Sequence, residues 1–308
     1  MAAVSLPGRN ARPSPHPENQ EGALNLYYLI RRNEIENLLH LWPLPKELII
    51  LEFGCGAAYQ ARLLARKVAR VYCTDLPAPD SIESFSLRHA ACSARVEGFN
   101  NMYFVASSAE ALPFQGKSFD LIYNSYVMEH FGVDERKKVL SETSRLLKDD
   151  GLLISVVPSV MDIVVQLMRF YFCELPGKLF RFVSANRGRQ HPPEEGTRRT
   201  RRNYGHPPSV SYLQKIKGAL VFQPHGEYSS FQEAVKAQSH QAWCRLFQES
   251  GMDVIATFST RPPFIDACSG RLQYYLHRWC DRLGRFWGGN TFLKHLGINL
   301  CIVCRKSH

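Results

Sequence analysis

Apolar and polar positions along the chain follow two periods, one typical of buried strands and the other of amphipathic helices. Short apolar runs predict seven strands, at 48–53, 71–75, 101–106, 119–123, 152–157, 252–258 and 298–304. Helical spacing predicts helices at 25–41, 57–69, within 80–93, at 133–147 and at 237–250. This alternation predicts an α/β fold, in which helices cover both faces of a mostly parallel sheet and ligands bind at the carboxyl ends of its strands. The last strand follows strand six closely, so we expect it to be the antiparallel edge strand of the sheet.

The most distinctive segment joins the first strand to its helix. It reads Leu48-Ile-Ile-Leu-Glu-Phe-Gly-Cys-Gly56, and Asp75 ends the next strand. A strand, a glycine turn, a helix and a second strand ending in an acid are typical of a nucleotide-type site. A dinucleotide site would need glycine at position 59, which is Tyr59, and Glu52 would repel a pyrophosphate. The pattern therefore favours a cationic ligand and disfavours an NAD-dependent oxidoreductase.

Three further segments accompany this turn in a fixed order, at 107–114, 118–130 and 139–157. With Glu52-x-Gly54-x-Gly56 and Asp75, they resemble the type 11 domain of class I S-adenosylmethionine-dependent methyltransferases, over roughly residues 45 to 158. The resemblance implies a Rossmann-like seven-stranded methyltransferase sheet with an antiparallel last strand. It also implies S-adenosyl-L-methionine as the cofactor.

The resemblance assigns roles to individual cofactor-site residues. The glycine turn lets the backbone approach the amino-acid end of the cofactor, and Asp75 binds both ribose hydroxyls. Where the family usually has Asp before Ala109, this chain has Ser108, a weaker acceptor for the adenine amine. The full set of cofactor-binding residues predicted here is Glu52, Gly54, Cys55, Gly56, Asp75, Leu76, Ser108, Ala109, Glu110 and Asn124.

The reaction needs an acceptor aligned with the methyl group and, for a hydroxyl acceptor, a base. His130 follows strand four, where this family places residues that face the methyl group, and its ordinary pKa suits a base. A role in capping a helix is an equal alternative for His130. Weaker candidates are Asp162, Tyr204, His206, His225 and Tyr228. Residues 124–127 lack the Asn/Asp-Pro-Pro-aromatic clamp of enzymes that methylate base amines, and we predict no metal.

Length and composition predict one domain with insertions, because 308 residues with 45% apolar content can bury a full core. Residues 1–22 are rich in proline and poor in apolar residues, so we expect a flexible arm and not a targeting segment. Nine cysteines without a signal peptide predict a reducing cytoplasm. Cys301 and Cys304 would face opposite sides of a strand, which favours core packing over metal binding.

The predicted organisation is an arm at 1–22, a cofactor-binding core at 23–158, an inserted cover after strand five at 159–236, and completion of the sheet at 237–308. Within the cover, 159–173 is apolar almost all round and predicts either a buried helix or a wall for a lipid-like substrate or membrane. The stripe Leu272, Tyr275, Leu276, Trp279 and Leu283 predicts ordinary packing first and a basic interfacial helix second.

Charge adds one further candidate. The net charge is +10, and residues 187–202 hold six arginines, a pattern that suits phosphate groups or a solvated loop. Nucleic acid is disfavoured, because no aromatic residue accompanies the arginines before Tyr204. The sequence thus predicts a cytoplasmic methyltransferase acting on a small or lipid-like metabolite at oxygen, with peripheral membrane contact as an option. The alternatives are an RNA-directed methyltransferase and a non-catalytic S-adenosylmethionine-binding protein.

Overall fold

The computed structural model describes residues 26–77, 87–176, 228, 230–267, 270–279 and 281–307. The predicted arm at 1–22, the arginine run at 187–202 and the candidates Tyr204, His206 and His225 lie outside these residues. The division of the chain into arm, core, cover and completing segment therefore stays a prediction.

A seven-stranded sheet organises the described residues, in the order β3-β2-β1-β4-β5-β7-β6. Its strands β1 to β7 are Ile49–Phe53, Arg70–Asp75, Met102–Ala106, Phe119–Ser125, Leu147–Pro158, Met252–Phe258 and Asn299–Lys306. Strands β1 to β5 pair in parallel, and β7 runs antiparallel to both β5 and β6. The predicted methyltransferase sheet with an antiparallel last strand is confirmed. The predicted edge position of that strand is wrong, because β7 pairs on both sides and β6 is the edge strand.

Helices flank the sheet and connect its strands. Helices α1 to α10 are Leu26–Leu41, Tyr59–Ala65, Leu87–Val96, Val133–Leu146, Val160–Arg169, Phe231–Ala237, His240–Glu249, Pro263–Ala267, Gly270–Trp279 and Asp281–Gly289. A short 3-10 helix, Met128–His130, follows β4, and one π-helical turn, Phe170–Glu174, follows α5. No helix in the described part of the chain is both long and apolar enough to span a bilayer.

Two hydrophobic cores lie on opposite faces of the sheet. On one face, the strand residues Ile50 and Val303 pack against α1, α2 and α3. On the other, Leu51 and Ile302 pack against α4 and α7, where Trp243 and Phe247 are fully buried. Strands buried on both faces need apolar residues at nearly every position, which explains the continuous apolar runs. The predicted coverage by helices on both faces is confirmed.

Cys301 and Cys304 show that β7 contributes side chains to both cores. The two thiols are fully buried in the cores on opposite sides of the sheet. Burial raises the pKa of the Cys304 thiol, so it stays protonated. Among the described residues, no group of three or more His, Cys, Asp or Glu side chains could hold a metal ion.

Three predicted helices differ from the structure at their boundaries. The helix predicted at 237–250 begins only at His240, because Ser239 caps it by accepting a hydrogen bond from the Ala242 N–H, and Ala237 ends the helix before it. The apolar segment 159–173 is α-helical only to Arg169. The segment 271–286, which carries the predicted apolar stripe, divides into α9 and α10, and Leu272, Tyr275 and Leu283 of that stripe are exposed. The exposed fractions are 57% for Leu272 and 51% for Tyr275.

The order of the strands determines where a ligand can bind. Strand β1 has β2 on one side and β4 on the other, so the chain leaves β1 and β4 towards opposite faces. Such a switch point opens a crevice outside the carboxyl ends of the strands. The glycine turn and Asp75 both lie at this edge.

Candidate active site

The glycine turn after β1 adopts a backbone that most residues avoid. Gly54 and Gly56 have φ of 66° and 51°. A Cβ at Gly54 would lie 2.4 Å from the Val127 Cγ2 atom, so the position has no room for a side chain. At Gly56, by contrast, a Cβ would meet nothing within 4 Å. Glycine is thus required at position 54 by close packing and at position 56 by backbone conformation alone.

Glu52 is a buried carboxyl group without a complete set of partners. Its exposed fraction is 3%, and Oε2 has no hydrogen-bond partner in the described part of the chain. Burial raises the pKa of Glu52 to about 8; Arg31 and a backbone hydrogen bond from Ala61 lower it, and Asp75 adds to the rise. An orphaned acid of this kind is costly unless a cation approaches it. The site therefore fits a positively charged ligand.

Asp75 fixes the geometry of the same turn. Its Oδ2 accepts a hydrogen bond from the Gly56 N–H at 2.6 Å, and its Oδ1 accepts one from the Leu76 N–H at 2.8 Å. The Leu76 side chain is 59% exposed at the rim. Asp75 thus has a structural task as well as the predicted task of binding a ribose.

A cavity of about 100 Å³ opens beside this turn. Its walls come from the turn, from α1 and α2, and from the end of β4; they include Tyr27, Arg31, Glu52, Gly54, Gly56, Tyr59, Ser125 and Tyr126. Tyr59, which excludes the third glycine of a dinucleotide fingerprint, packs edge-on against Tyr27 and Tyr28 of α1. The first helix therefore forms one wall of the site.

Tyr126 lies on the cavity wall beyond the glycine turn. Its φ is 55°, an uncommon value for a residue with a side chain, although its N–H still bonds to the Val156 carbonyl at 2.8 Å. Arg31 lies 4.5 Å from the centre of the ring, and Arg261 Nη1 donates to the hydroxyl at 3.0 Å. Burial raises the pKa of Tyr126 well above its usual value, so the hydroxyl keeps its proton. It can therefore donate a hydrogen bond to a bound acceptor.

Each of the two arginines is held by a buried acid. Arg31 pairs with Glu34 at 3.0 Å, and Arg261 pairs with Asp266 at 2.8 Å. The Oδ1 atom of Asp266 also accepts from Gln273 Nε2 at 3.0 Å and contacts His277 Nε2 at 3.2 Å. Strong pairing fixes the arginine side chains, so the Tyr126 hydroxyl is held in one position.

The other predicted cofactor residues have different surroundings. Cys55 lines the cavity, and a hydrogen bond to Cys73 together with burial raises its pKa well above the usual value. Ser108 Oγ accepts from the Glu110 N–H at 3.3 Å, and Glu110 Oε1 is buried without a described partner. Ala109 packs at the edge of the second core. These three residues form the predicted adenine loop, which lies outside the cavity lining.

Two predicted residues lie away from the cavity. Asn124 is 1% exposed, and its Oδ1 accepts from the Ser155 hydroxyl at 2.8 Å. His130 is exposed at the end of the 3-10 helix and does not line the cavity. The assignment of His130 as the catalytic base stays a prediction. Tyr228, a weaker candidate, accepts a hydrogen bond from Gln238 Nε2 at 3.3 Å.

Sequence reasoning missed Arg31, Tyr126 and Arg261. Tyr126 lies in the segment 118–130, which resembles the family, but the residues next to it do not indicate its role. Arg31 and Arg261 are 230 positions apart, and their convergence depends on α1 and the loop after β6 meeting at one edge of the sheet. The only local signal is Tyr27-x-x-x-Arg31 on α1, a spacing that puts both side chains on one helix face.

Comparison with known proteins agrees with this geometry. Residues 51–155 match the sequence profile of a methyltransferase domain family, type 11. The uncharacterized methyltransferase YcgJ of Bacillus subtilis (strain 168) is 31% identical over 107 residues, which are 35% of this chain and 39% of that protein.

Two named quinone-pathway enzymes are also similar. The ubiquinone/menaquinone biosynthesis C-methyltransferase UbiE of Campylobacter jejuni is 27% identical over 124 residues, 40% of this chain and 50% of that protein. The ubiquinone biosynthesis O-methyltransferase of Cereibacter sphaeroides is 36% identical over 113 residues, 36% of this chain and 42% of that protein. The chain thus covers half or less of the length of these relatives.

The sheet order, the glycine turn and the acid at the end of β2 define a class I methyltransferase fold. Residues 51–155 are a methyltransferase domain of the type 11 family. The resemblance predicted from the sequence over residues 45–158 is confirmed. The cofactor of this family is S-adenosyl-L-methionine, and the orphaned Glu52 carboxyl group together with the open Gly56 backbone fits its positively charged end.

Proposed function

We propose that this protein is an S-adenosylmethionine-dependent methyltransferase that acts on a small or lipid-like metabolite at oxygen. The observation that carries the proposal is the buried Glu52 carboxyl group, whose unpartnered oxygen lies at a cavity formed by the glycine turn. A cation in that cavity would provide the missing partner. Two of the similar proteins act in quinone biosynthesis, one at carbon and one at oxygen, which supports an apolar metabolite as the acceptor.

In this proposal, one side of the cavity binds the cofactor and the other side binds the acceptor. Glu52, Gly54, Gly56 and Asp75 would hold the cofactor, which supplies an electrophilic methyl group. On the other side, Arg261 holds the Tyr126 hydroxyl ready to bind the acceptor and orient it. Orientation of this kind is a large part of catalysis when the methyl group is already reactive.

A base is needed when the acceptor is a hydroxyl group. His130 is the first candidate from the sequence, and Asp162 on α5 is a weaker sequence candidate whose surroundings suit a base. Burial raises the pKa of Asp162 to about 6, although Arg261 and a hydrogen bond from Gln166 lower it. That value lies close to the operating pH of a general base. An electrostatic interaction between Asp162 and Tyr126 supports this assignment.

Transfer of labelled methyl groups tests the proposal directly. The full chain is incubated with methyl-labelled cofactor and with lipid, small-molecule and RNA fractions of cell extract. We expect label in the lipid or small-molecule fraction, in a product whose methyl group is bonded to oxygen. Label in ribonuclease-sensitive material would favour the RNA-directed alternative. Cofactor binding with no transfer to any fraction would favour a non-catalytic binding protein.

Asp75→Ala should abolish the thermal stabilisation that the cofactor gives to the protein. Bound ligand stabilises by a predictable amount, about 2.7 kcal/mol at a hundred times Kd. Because Asp75 also binds the N–H groups of Gly56 and Leu76, we expect the cofactor-free variant to lose about 1–2 kcal/mol as well. Thermal unfolding with and without cofactor measures both effects. Asp150→Ala, an exposed acid, is the control; a normal cofactor response in Asp75→Ala would contradict the ribose assignment.

A further inference from the structure

Helices α9 and α10 present an unusual arrangement, with polar or small residues inside and apolar residues outside. The buried positions are Gln273 and His277 on α9 and Gly284 and Gly288 on α10. These pairs are four residues apart, so each marks one face of its helix. A Cβ at Gly284 would lie 2.1 Å from Asn37 Nδ2, and one at Gly288 would lie 2.3 Å from the Ser259 carbonyl oxygen. The inner faces are therefore fixed by close contact.

The opposite face of both helices is apolar and exposed. Its residues, which we call the outer face, are Leu272, Tyr275, Leu283 and Phe286, with exposed fractions of 57%, 51%, 37% and 61%. In an ordinary amphipathic helix such residues pack against the core. Large apolar side chains gathered on one surface mark a contact with something outside the fold.

Neighbouring elements also carry exposed apolar side chains. Helix α8 packs against both α9 and α5, and Phe264 on α8 is 43% exposed and contacts the ring of Trp287. On α5 and the turn after it, Met168 is 46% exposed and Phe172 is 77% exposed. Exposed apolar side chains are therefore also present on α8, which packs beside α9, and on α5, which packs beside α8.

Basic residues accompany the outer face. Arg278 on α9 and Arg282 on α10 are exposed, next to its apolar side chains. Apart from the buried Arg261–Asp266 pair, the chain between positions 262 and 297 has five basic residues and one acidic residue: Arg271, Arg278, Arg282, Arg285 and Lys294 against Asp281. Apolar side chains bordered by arginines are typical of a helix that lies in the interface of an anionic bilayer.

We infer that the outer face docks this protein onto an anionic lipid surface. The arginines would bind the headgroups, and Leu272, Tyr275, Leu283 and Phe286 would enter the boundary of the acyl chains. Helix α9 also supports the acceptor side of the cavity, because its residues Gln273 and His277 contact Asp266, which pairs with Arg261. Docking would thus bring the acceptor side close to the bilayer, and lipid-embedded acceptors would be within reach. That last step rests on the proposed function, whereas docking does not.

Vesicle binding of the full chain tests the inference. The probes are large unilamellar vesicles of phosphatidylcholine alone and of phosphatidylcholine with an equal amount of phosphatidylglycerol, at 50 to 500 mM NaCl. We expect binding to the anionic vesicles that weakens as salt rises, and at least tenfold weaker binding to the zwitterionic ones. Equal binding to both kinds, or to neither, would overturn the inference.

Variants locate the contact on the molecule. Leu283→Asp with Phe286→Asp, and separately Arg278→Glu with Arg282→Glu, should each weaken binding to anionic vesicles at least tenfold. Val96→Asp and Arg88→Glu, exposed residues of α3, should leave it unchanged. Calorimetry should give unchanged cofactor affinity for all of these variants, so that failure of docking and failure of cofactor binding are told apart.

Two other occupants of the outer face would give different results. If another part of this chain covered it, the Leu283→Asp, Phe286→Asp variant would unfold at a markedly lower temperature without lipid. If a second copy covered it, light scattering would show a dimer that the same variant dissociates. Either result would overturn docking to lipid.

Discussion

Glu52→Gln should weaken cofactor binding about a hundredfold and at the same time make the cofactor-free protein more stable. The two effects have one cause, a carboxyl group buried without a complete set of partners. A negative charge on Glu52 costs folding free energy until a cation binds beside it. Removal of the charge should therefore stabilise the cofactor-free protein and weaken binding of the cationic cofactor. A residue with a merely structural role would lower stability and binding together.

The pH dependence separates this explanation from others. Because burial raises the folded-state pKa of Glu52 to about 8, above the unfolded value of about 4.5, the folded protein binds the extra proton between these values. The contribution of Glu52 to the unfolding free energy of the cofactor-free protein therefore falls as pH rises from about 5 to 8. Cofactor affinity should rise over pH 6 to 8 and then level, since a bound cation needs the ionised form.

Calorimetry at pH 6, 7, 8 and 9 measures the affinity, and chemical denaturation measures the stability. Asp75→Asn is the matched control: it should bind the cofactor more weakly but keep the rise in affinity between pH 6 and 8. That control also accounts for protonation of the cofactor itself. If Glu52→Gln kept the wild-type affinity and pH dependence, the cavity would not bind the cationic end of the cofactor at Glu52.

Much of the fold could be predicted from the sequence because a parallel sheet buries its strands on both faces. The runs at Ile49–Phe53 and Leu152–Val157 are apolar at nearly every position, so strands and their order of appearance were readable. The antiparallel direction of β7 was implied by the resemblance to the family, since helices α8 to α10 separate β7 from β6 in the chain. Helix boundaries that depend on a single capping residue, such as the helix start after Ser239, were not predicted.

The candidate site was predictable only where it is local in the chain. The glycine turn and Asp75 form one continuous βα unit, and their geometry depends on neighbours within about twenty residues. Tyr126, Arg31 and Arg261 meet through contacts between distant segments, which no short pattern specifies. The stripe on α9 and α10 shows the same limit in another way, since periodicity revealed an apolar face but could not tell which way it points.

Asp266→Asn should cost about 3–5 kcal/mol of unfolding free energy, the usual penalty for breaking a buried ion pair. Burial alone would raise the pKa of Asp266, but Arg261 and His277 overcome it and hold the pKa well below its usual value. For an acid with a lowered folded-state pKa, the contribution to stability is present above the unfolded value of 3.8 and is lost as pH falls below it. Because the folded-state pKa lies well below 3.8, Asp266 stays ionised in the folded protein at pH 3, so denaturation should show the largest loss at pH 7 and a smaller loss at pH 3.

Asp149→Asn provides the matched control for that loss. Asp149 pairs with Lys117 at 2.8 Å, but both side chains are about 60% exposed. Pairs of this kind contribute about 0–1 kcal/mol, so the variant should unfold almost like the wild type. Equal losses in the two variants would mean that burial of Asp266 does not govern its effect.

A double replacement separates stability from function at the acceptor side. Arg261→Met with Asp266→Leu removes both charges, so it should recover at least half of the stability lost in Asp266→Asn. It should not recover methyl transfer, because nothing then holds the Tyr126 hydroxyl, while cofactor affinity stays near the wild-type value. Tyr126→Phe, which keeps the ring and loses the hydroxyl, should match the double variant in transfer and lose only about 1 kcal/mol of stability. Recovery of transfer in the double variant would reduce the Arg261–Asp266 pair to a structural role, since orientation of the acceptor would then not depend on it.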